Sequence, residues 1–275
     1  MLDTGTRIVM VGGGVMGRTV TAGLLRAGHS AEQVLLCGRD PERAAATAAE
    51  LGVTNAPTAE AVPGADVVVL AVKPQDMDAA LGQVRPALTA GTVVLSLAAG
   101  IPLAFLQARL PQGTAVVRAM PNTPSQVGQG MSAISPDPHC TSEQVELARG
   151  VLASTGLVTT LPERYQDAVT AISGSGPAYL FFVVESMIES GVHLGLPRST
   201  ATELVVQTLF GAATMLKETG EHPTMLREMV SSPGGTTVAA MRELEDHKVR
   251  AAFLSAMEAA ARRSKDLSDG VVDDD

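Results

Sequence analysis

The chain has 275 residues, 45% of them hydrophobic and only 3% aromatic, with a net charge of −9. That length accommodates two domains of ordinary size, each with its own core. The acidic balance and scattered basic residues argue against a nucleic-acid surface, although a local site for a small anion is compatible with them. Cys37 and Cys140 lie far apart without a CxxC or Cys/His partner, the pattern of free thiols in a reducing compartment. MLDTGTRIVMVGGG has no basic stretch followed by an apolar one, so no leader is expected, and the apolar run Ala178 to Val184 is too short to span a bilayer. The reading is a cytoplasmic chain with no membrane or nucleic-acid partner.

Strand and helix patterns alternate over residues 7–161. RIVMVG predicts a first strand, VMGRTVTAGLLRAG a helix ending at Gly28, and VLLCGR a second strand. Asp40-Pro41 starts the next helix, with Asp as N-cap and Pro at the first helical position. ADVVVLAV is an unbroken apolar strand, as expected where both faces of a sheet are covered. TVVLSLA and AVVRAMP follow; MSAIS and LVTTL are weaker strands on either side of the helix SEQVELARGVLAST. This alternation predicts a parallel, doubly wound sheet.

After Leu161-Pro162 the spacing is helical and no strand is evident. Gly, Pro and Ser punctuate the pattern at 173–177, 195–198, 220–224 and 231–237. In the helix from about Arg198 to Thr219, polar residues Glu203, Gln207, Thr214 and Glu218 form one narrow stripe, and the remaining apolar surface demands burial. Such helices predict an all-α domain that packs against a second copy, with a monomeric bundle as the alternative. The expected plan is α/β: a Rossmann-type NADP-binding domain over 1–162, then a helical substrate-binding and dimerisation domain over 163–275. The acidic tail DLSDGVVDDD is expected to fray.

Gly12-Gly13-Gly14-Val15-Met16-Gly17 follows the first strand and opens the first helix. It matches G-x-G-x-x-G at Gly12, Gly14 and Gly17: a tight turn, room for a pyrophosphate, and close helix–strand packing. The helix start at Val15 and Met16 offers unpaired N–H groups to phosphates. At the tip of the second strand stand Cys37, Gly38 and Arg39, where NAD sites usually place an acid. A guanidinium suits a 2′-phosphate, so NADPH is the expected cofactor and NADH a possible one. Asp40 is the counter-evidence, and its N-cap role accounts for it. Three further segments follow strand ends, where ligands gather in open α/β sheets. Val72, Lys73 and Pro74 would flank the adenosine end; Ala99-Gly100 and Pro121-Asn122-Thr123 would border the nicotinamide. Each is also compatible with a plain turn.

In chain order the motifs are VGGGVMG, AVKPQ, RAMPNTP, ISGSGPAY and VSSPGGTT. This set, covering about Arg7 to Leu267, resembles the pyrroline-5-carboxylate reductase family. The resemblance implies a Rossmann domain and a helical dimerisation domain, assembly as a homodimer or as a ring of five dimers, and reduction of 1-pyrroline-5-carboxylate to L-proline with NAD(P)H. It also implies substrate contacts by Ser232, Thr236 and Thr237, with the Thr237 hydroxyl at the ring nitrogen. Asn122 and Thr123 would lie near the nicotinamide, and Arg39 at a 2′-phosphate.

The residues of SSPGGTT fit that chemistry on their own terms. Pro233 stiffens the entry, Gly234 and Gly235 open conformations closed to other residues, and Thr236 and Thr237 start a helix whose first N–H groups are unpaired. With the Ser232 hydroxyl this makes a socket for a small carboxylate that needs no Lys or Arg. A plain helix cap after a turn is the alternative, and such a cap does not need P-G-G. No His, Asp or Glu lies in the motif loops, so a substrate bound as its protonated iminium removes the need for a strong acid, with Thr237 as the catalytic residue that orients the nitrogen. In ISGSGPAY, Ser175 is expected to cap the next helix with Pro177 in its first turn, Gly174 to Gly176 to permit close backbone approach, and Tyr179 to lie in a core or interface. The five histidines show no metal-ligand spacing.

Two rivals stay open. A β-hydroxyacid dehydrogenase shares the two-domain plan but relies on a lysine in the helical domain; here Lys217, Lys248 and Lys265 all lie outside the Gly/Ser-rich motifs. A non-catalytic dinucleotide sensor would not need the SSPGGTT socket.

Overall fold

Short apolar runs bounded by turn residues become the strands, and the longer periodic segments between them become helices. The structure is a computed structural model describing residues 2–273. Its strands are β1 (Ile8–Val11), β2 (Val34–Cys37), β3 (Thr54–Asn55), β4 (Val67–Leu70), β5 (Val93–Ser96), β6 (Ala115–Met120), β7 (Gly130–Pro136) and β8 (Gly156–Thr160). The helices in the same stretch are α1 (Val15–Arg26), α2 (Pro41–Leu51), α3 (Thr58–Ala61), α4 (Met77–Val84), α5 (Leu103–Arg109), α6 (Ser142–Ala153) and α7 (Gln166–Val169). Then come α8 (Gly176–His193), α9 (Arg198–Thr219), α10 (Pro223–Met229), α11 (Thr236–Asp246) and α12 (Val249–Asp273).

The strands form one sheet in the order β3-β2-β1-β4-β5-β6-β7-β8. Its first six members follow the 3-2-1-4-5-6 order of dinucleotide-binding folds, all parallel. Side chains of β1 alternate between two cores. Val9 and Val11 pack with Leu70 and Leu106, and Ile8 and Met10 with Leu24 and Leu152. Burial on both faces is why these strands read as unbroken apolar runs.

The doubly wound reading holds, with one reversal that the alternation did not announce. β7 runs antiparallel to β6, and β8 is parallel to β7. Only residues 121–129 link β6 to β7, and a parallel return needs a crossover of roughly a dozen residues or more. β3, two residues long, was also not predicted. Local signals fared better: Asp40 caps α2, accepting from Arg43 N at 3.1 Å with Pro41 at the first position.

By compactness the chain divides into one unit of residues 1–175 with 259–275 and a second of 176–258. Residues 163–175 are tied to the sheet by named bonds. Gln166 Nε2 donates to Ser135 Oγ at 2.8 Å, and Arg118 Nη1 to Glu163 Oε1 at 3.0 Å. The end of α12 is held by Ser264 Oγ, which donates to Asp167 at 2.7 Å. That helix continues to Asp273, so the tail expected to fray is helical that far; Asp274 and Asp275 lie outside the described residues.

Two expectations for the segment before α8 are corrected. Ser175 is not an extended N-cap: its φ of −85° and ψ of −18° are helical, and a π turn over Thr170–Gly174 carries the chain into α8. Punctuation at 173–177 therefore does not break the helix. The run Glu163–His193 consequently is long and apolar enough, by length and composition alone, to cross a membrane. The expectation from Ala178–Val184 missed this because it stopped at the Gly/Ser residues. In the single chain no residue of α8 is buried, and only Ala201 of α9 is, with Phe181, Phe182 and Phe210 each more than 60% exposed.

Both cysteines are free. Burial pushes the Cys37 thiol up to about 11 and the Cys140 thiol, with the nearby Asp137 charge adding to burial, up to about 12. Both stay protonated at neutral pH, which makes them poor nucleophiles.

Candidate active site

The glycine turn after β1 is built so that backbone, not side chains, faces its opening. Gly12 has φ +113°, and a Cβ there would lie 2.6 Å from the Ala71 carbonyl oxygen. A Cβ on Gly17 would lie 2.0 Å from the Gly12 oxygen, so α1 packs against the turn only because that position is glycine. Gly14 differs: nothing lies within 4 Å of its Cβ position. It is also the N-cap of α1 and offers no side-chain bond, leaving the first N–H groups of the helix free beside open space. These are the features a dinucleotide pyrophosphate requires, and the residues fit that group. Val15 is exposed and Met16 half-buried at this helix start.

The neighbouring strand ends supply the rest of the edge. Val72, whose Cγ1 lies 3.2 Å from the Gly12 Cβ position, walls the turn, and Lys73 and Pro74 follow as exposed residues. Arg39, past β2, is exposed, with Nη1 2.5 Å from Asp76 Oδ1. The structure thus brings Gly12, Gly14, Val15, Met16, Gly17, Arg39, Val72, Lys73 and Pro74 to the carboxyl edge of adjacent parallel strands. A cavity of about 580 Å³ is lined by Leu2, His29, Leu147 and Arg149, which precede β1 and β2 or lie on α6. It lies at the opposite end of the strands from the glycine turn.

The predicted nicotinamide border is less uniform. Ala99 is exposed, but Gly100 (φ +74°) is buried, its Cβ position 3.4 Å from Leu267 of α12. Thr123 is exposed. Asn122 is buried and both ends of its amide are occupied: Nδ2 donates to Ser173 O at 3.1 Å, and Oδ1 accepts from Met131 N at 2.9 Å. The first bond has a clear cause. Pro177 has no N–H to give the carbonyl four residues back, and Asn122 supplies the donor instead. Of the close approach expected at Gly174 to Gly176, Gly174 makes one, since a Cβ there would lie 2.5 Å from Met120 Cε, whereas nothing lies within 4 Å of a Cβ on Gly176. Arg118, in the same motif, is buried against Glu163 rather than presented at the edge.

In the second unit, Ser232-Pro233-Gly234-Gly235 forms a type II turn. Gly235 N donates to Ser232 O at 2.9 Å, Pro233 takes the second position, and Gly234 has φ +70°. A Cβ on Gly235 would lie 2.6 Å from Ser232 Oγ, so the serine hydroxyl is packed onto bare backbone. Gly235 is the N-cap of α11 and contributes no side chain. The first intrahelical bond is Ala239 N to Gly235 O, so the N–H groups of Thr236, Thr237 and Val238 lack helical acceptors. Thr236 is exposed and Thr237 half-buried. A plain N-cap would satisfy these donors with a hydroxyl; here they are left open.

Two features were missed in the sequence. One is Asp76, visible in AVKPQD but passed over. The other is a cavity of about 430 Å³ flanking the loop through Ser231 and Val238, where Arg227, Arg242 and Arg250 line the wall together with Glu228 and Glu245. Basic residues spaced along α10, α11 and α12 do not reveal themselves as a cluster until those helices pack.

Similarity to known proteins is extensive. Residues 163–267 match the family described as pyrroline-5-carboxylate reductase dimerisation, and residues 7–100 the one described as NADP oxidoreductase, coenzyme F420-dependent. The pyrroline-5-carboxylate reductase of Corynebacterium melassecola is 44% identical over 95% of this chain and 98% of its own. The chain belongs to the pyrroline-5-carboxylate reductase family. The Pseudomonas aeruginosa reductase is 41% identical over 96% of this chain and 97% of its own. Among solved structures, the Coxiella burnetii reductase superposes with a TM-score of 0.91 at 35% identity, covering 96% of this chain and 99% of that one. The Plasmodium falciparum reductase, solved with NADP bound, has a TM-score of 0.85 at 28% identity, covering 96% and 98%.

Membership in this reductase family gives the exposed helices a reason. The dimerisation match spans α8 and α9, so a homodimer offers their apolar surface a partner. The chain is an NAD(P)-binding oxidoreductase, and residues 7–100 carry the match to the NADP oxidoreductase family.

Proposed function

We propose that this chain reduces 1-pyrroline-5-carboxylate to L-proline by hydride transfer from NAD(P)H, the last step of proline biosynthesis. The observation that carries the reading is the open start of α11, with its free N–H groups beside the hydroxyls of Ser232, Thr236 and Thr237. Unpaired N–H groups at a helix start suit a small carboxylate, and the near full-length identity to reductases supports this reaction.

In this reading residues 1–162 hold the dinucleotide and 163–275 carry the substrate loop and the dimer surface. Gly12, Gly14, Val15, Met16 and Gly17 receive the pyrophosphate; Val72, Lys73 and Pro74 flank the adenosine; Arg39 grips the 2′-phosphate, so NADPH is preferred and NADH accepted. Ala99, Gly100, Asn122 and Thr123 shape the nicotinamide side, Asn122 through the backbone it pins. The bound cofactor supplies the hydride. Ser232, Gly234, Gly235 and Thr236 hold the substrate carboxylate by backbone N–H and hydroxyl groups, and the Thr237 hydroxyl orients the ring nitrogen. The substrate enters as its iminium, so the protein works by positioning and by its fixed dipoles. Dimers assemble further, as rings of five, in a cytoplasmic enzyme.

The test is a substrate panel on the purified chain. NADPH absorbance is expected to fall with pyrroline-5-carboxylate and to stay constant with keto acids, while hydroxy acids leave NADP unreduced. Oxidation of a hydroxy acid would favour a β-hydroxyacid dehydrogenase, and tight NADPH binding without any turnover would favour a sensor.

A further inference from the structure

We propose that Asp76 sets the cofactor selectivity of this chain by competing with a 2′-phosphate for Arg39. The inference rests on the dinucleotide reading given above and adds a determinant to it. Arg39 lies just past β2 and Asp76 past β4, the two strands that flank β1. Their charged groups meet at 2.5 Å over the edge where the Gly12 turn opens, bridging two strand spacings, ~10 Å of sheet.

Neither group is held there by a local duty. Asp76 occupies the N-cap position of α4, yet its carboxylate accepts no bond from that helix. Asp40, adjacent to Arg39 in the chain, is committed to Arg43 N and leaves the guanidinium to Asp76. The Arg39 side chain is 77% exposed and that of Asp76 32%, so a ligand can reach the cation while the acid stays beside it.

The two dinucleotides meet this pair differently. A 2′-phosphate carries close to two negative charges at neutral pH. To bind Arg39 it displaces the carboxylate or shares the guanidinium with it, and like-charge repulsion opposes either arrangement. A 2′-hydroxyl is uncharged and leaves the pair intact. The carboxylate is then an available acceptor for that hydroxyl, the role an acid at the β2 tip has in NAD sites. Asp76 thus lowers the NADPH preference that Arg39 alone would confer.

The experiment is equilibrium titration of NADPH and NADH, followed by nicotinamide fluorescence, on the full chain, Asp76→Asn, Arg39→Ala and the double variant. Asp76→Asn is expected to tighten NADPH by roughly three- to tenfold, the scale of repulsion between close charges in water, and to leave NADH unchanged or weaker. The gain shrinks in high salt and vanishes in the double variant. NADPH affinity unchanged or weakened by Asp76→Asn, with Arg39→Ala still losing NADPH, overturns this inference alone. NADPH binding untouched by Arg39→Ala overturns the Arg39 assignment beneath it as well. Asparagine is nearly isosteric, and matching melting temperatures confirm that the comparison is of folded proteins.

Discussion

Thr237→Ala is expected to lower turnover of pyrroline-5-carboxylate by roughly a hundredfold, the scale seen when one oriented hydrogen-bond donor is removed at a reacting centre. Binding of NADPH is expected to match the parent chain, because Thr237 lies outside the glycine turn and the strand-edge loops. The substitution should be structurally mild. Thr237 is the second residue of α11, alanine is a good helix former, and the cap is the backbone of Gly235 rather than a threonine hydroxyl. Thr237→Ser keeps the hydroxyl and should recover most of the rate. Steady-state kcat beside a dinucleotide titration checks this. Parent-level turnover in the alanine variant removes Thr237 from the mechanism.

A second large effect concerns stability. Glu163→Ala is expected to lower the melting temperature by roughly 5–10 °C, from a loss of ~2–3 kcal/mol spread over a chain of this size. The carboxylate has two partners. Oε1 accepts from Arg118 Nη1 at 3.0 Å and from Leu103 N, at the start of α5, at 2.7 Å. The Arg118 side chain is only 7% exposed, so truncation strands a buried cation and an unpaired N–H together. The partial exposure of Glu163 itself, 32%, places the estimate below that for a fully buried pair. Glu163→Gln keeps an acceptor and should lose less. Thermal unfolding followed by circular dichroism reads both, and an unchanged midpoint for Glu163→Ala would show that the pair contributes nothing.

How legible each part was depended on the range of the interaction behind it. Asp40-Pro41 was read correctly because a cap is settled within four residues. The packing roles of Gly12 and Gly17 were legible because Gly17 meets the Gly12 carbonyl within the same turn, and Gly12 meets Ala71 at the end of the neighbouring strand. The apolar flanks of α9 announced a partner surface because no stripe of polar residues was wide enough to keep that helix in water. The failures are non-local. Ser175 looked like a cap because Ser-Gly-Pro is a common helix start; the chain stays helical through it in a π turn, and Asn122, from a distant loop, supplies the donor that Pro177 lacks. Arg118 sat in a motif read as bordering the nicotinamide, and only the packing of residues 163–165 onto β6 reveals it as half of an ion pair. Asp76 was passed over because nothing in the residues around it marks it, and its partner Arg39 comes from two strands away.

The central claim is that this chain makes proline, and it is tested most directly by product. The purified protein is incubated with pyrroline-5-carboxylate and NADPH, and L-proline is quantified by chiral chromatography against NADPH consumed. One L-proline per NADPH is the predicted result. No consumption, or consumption without L-proline, would contradict the account.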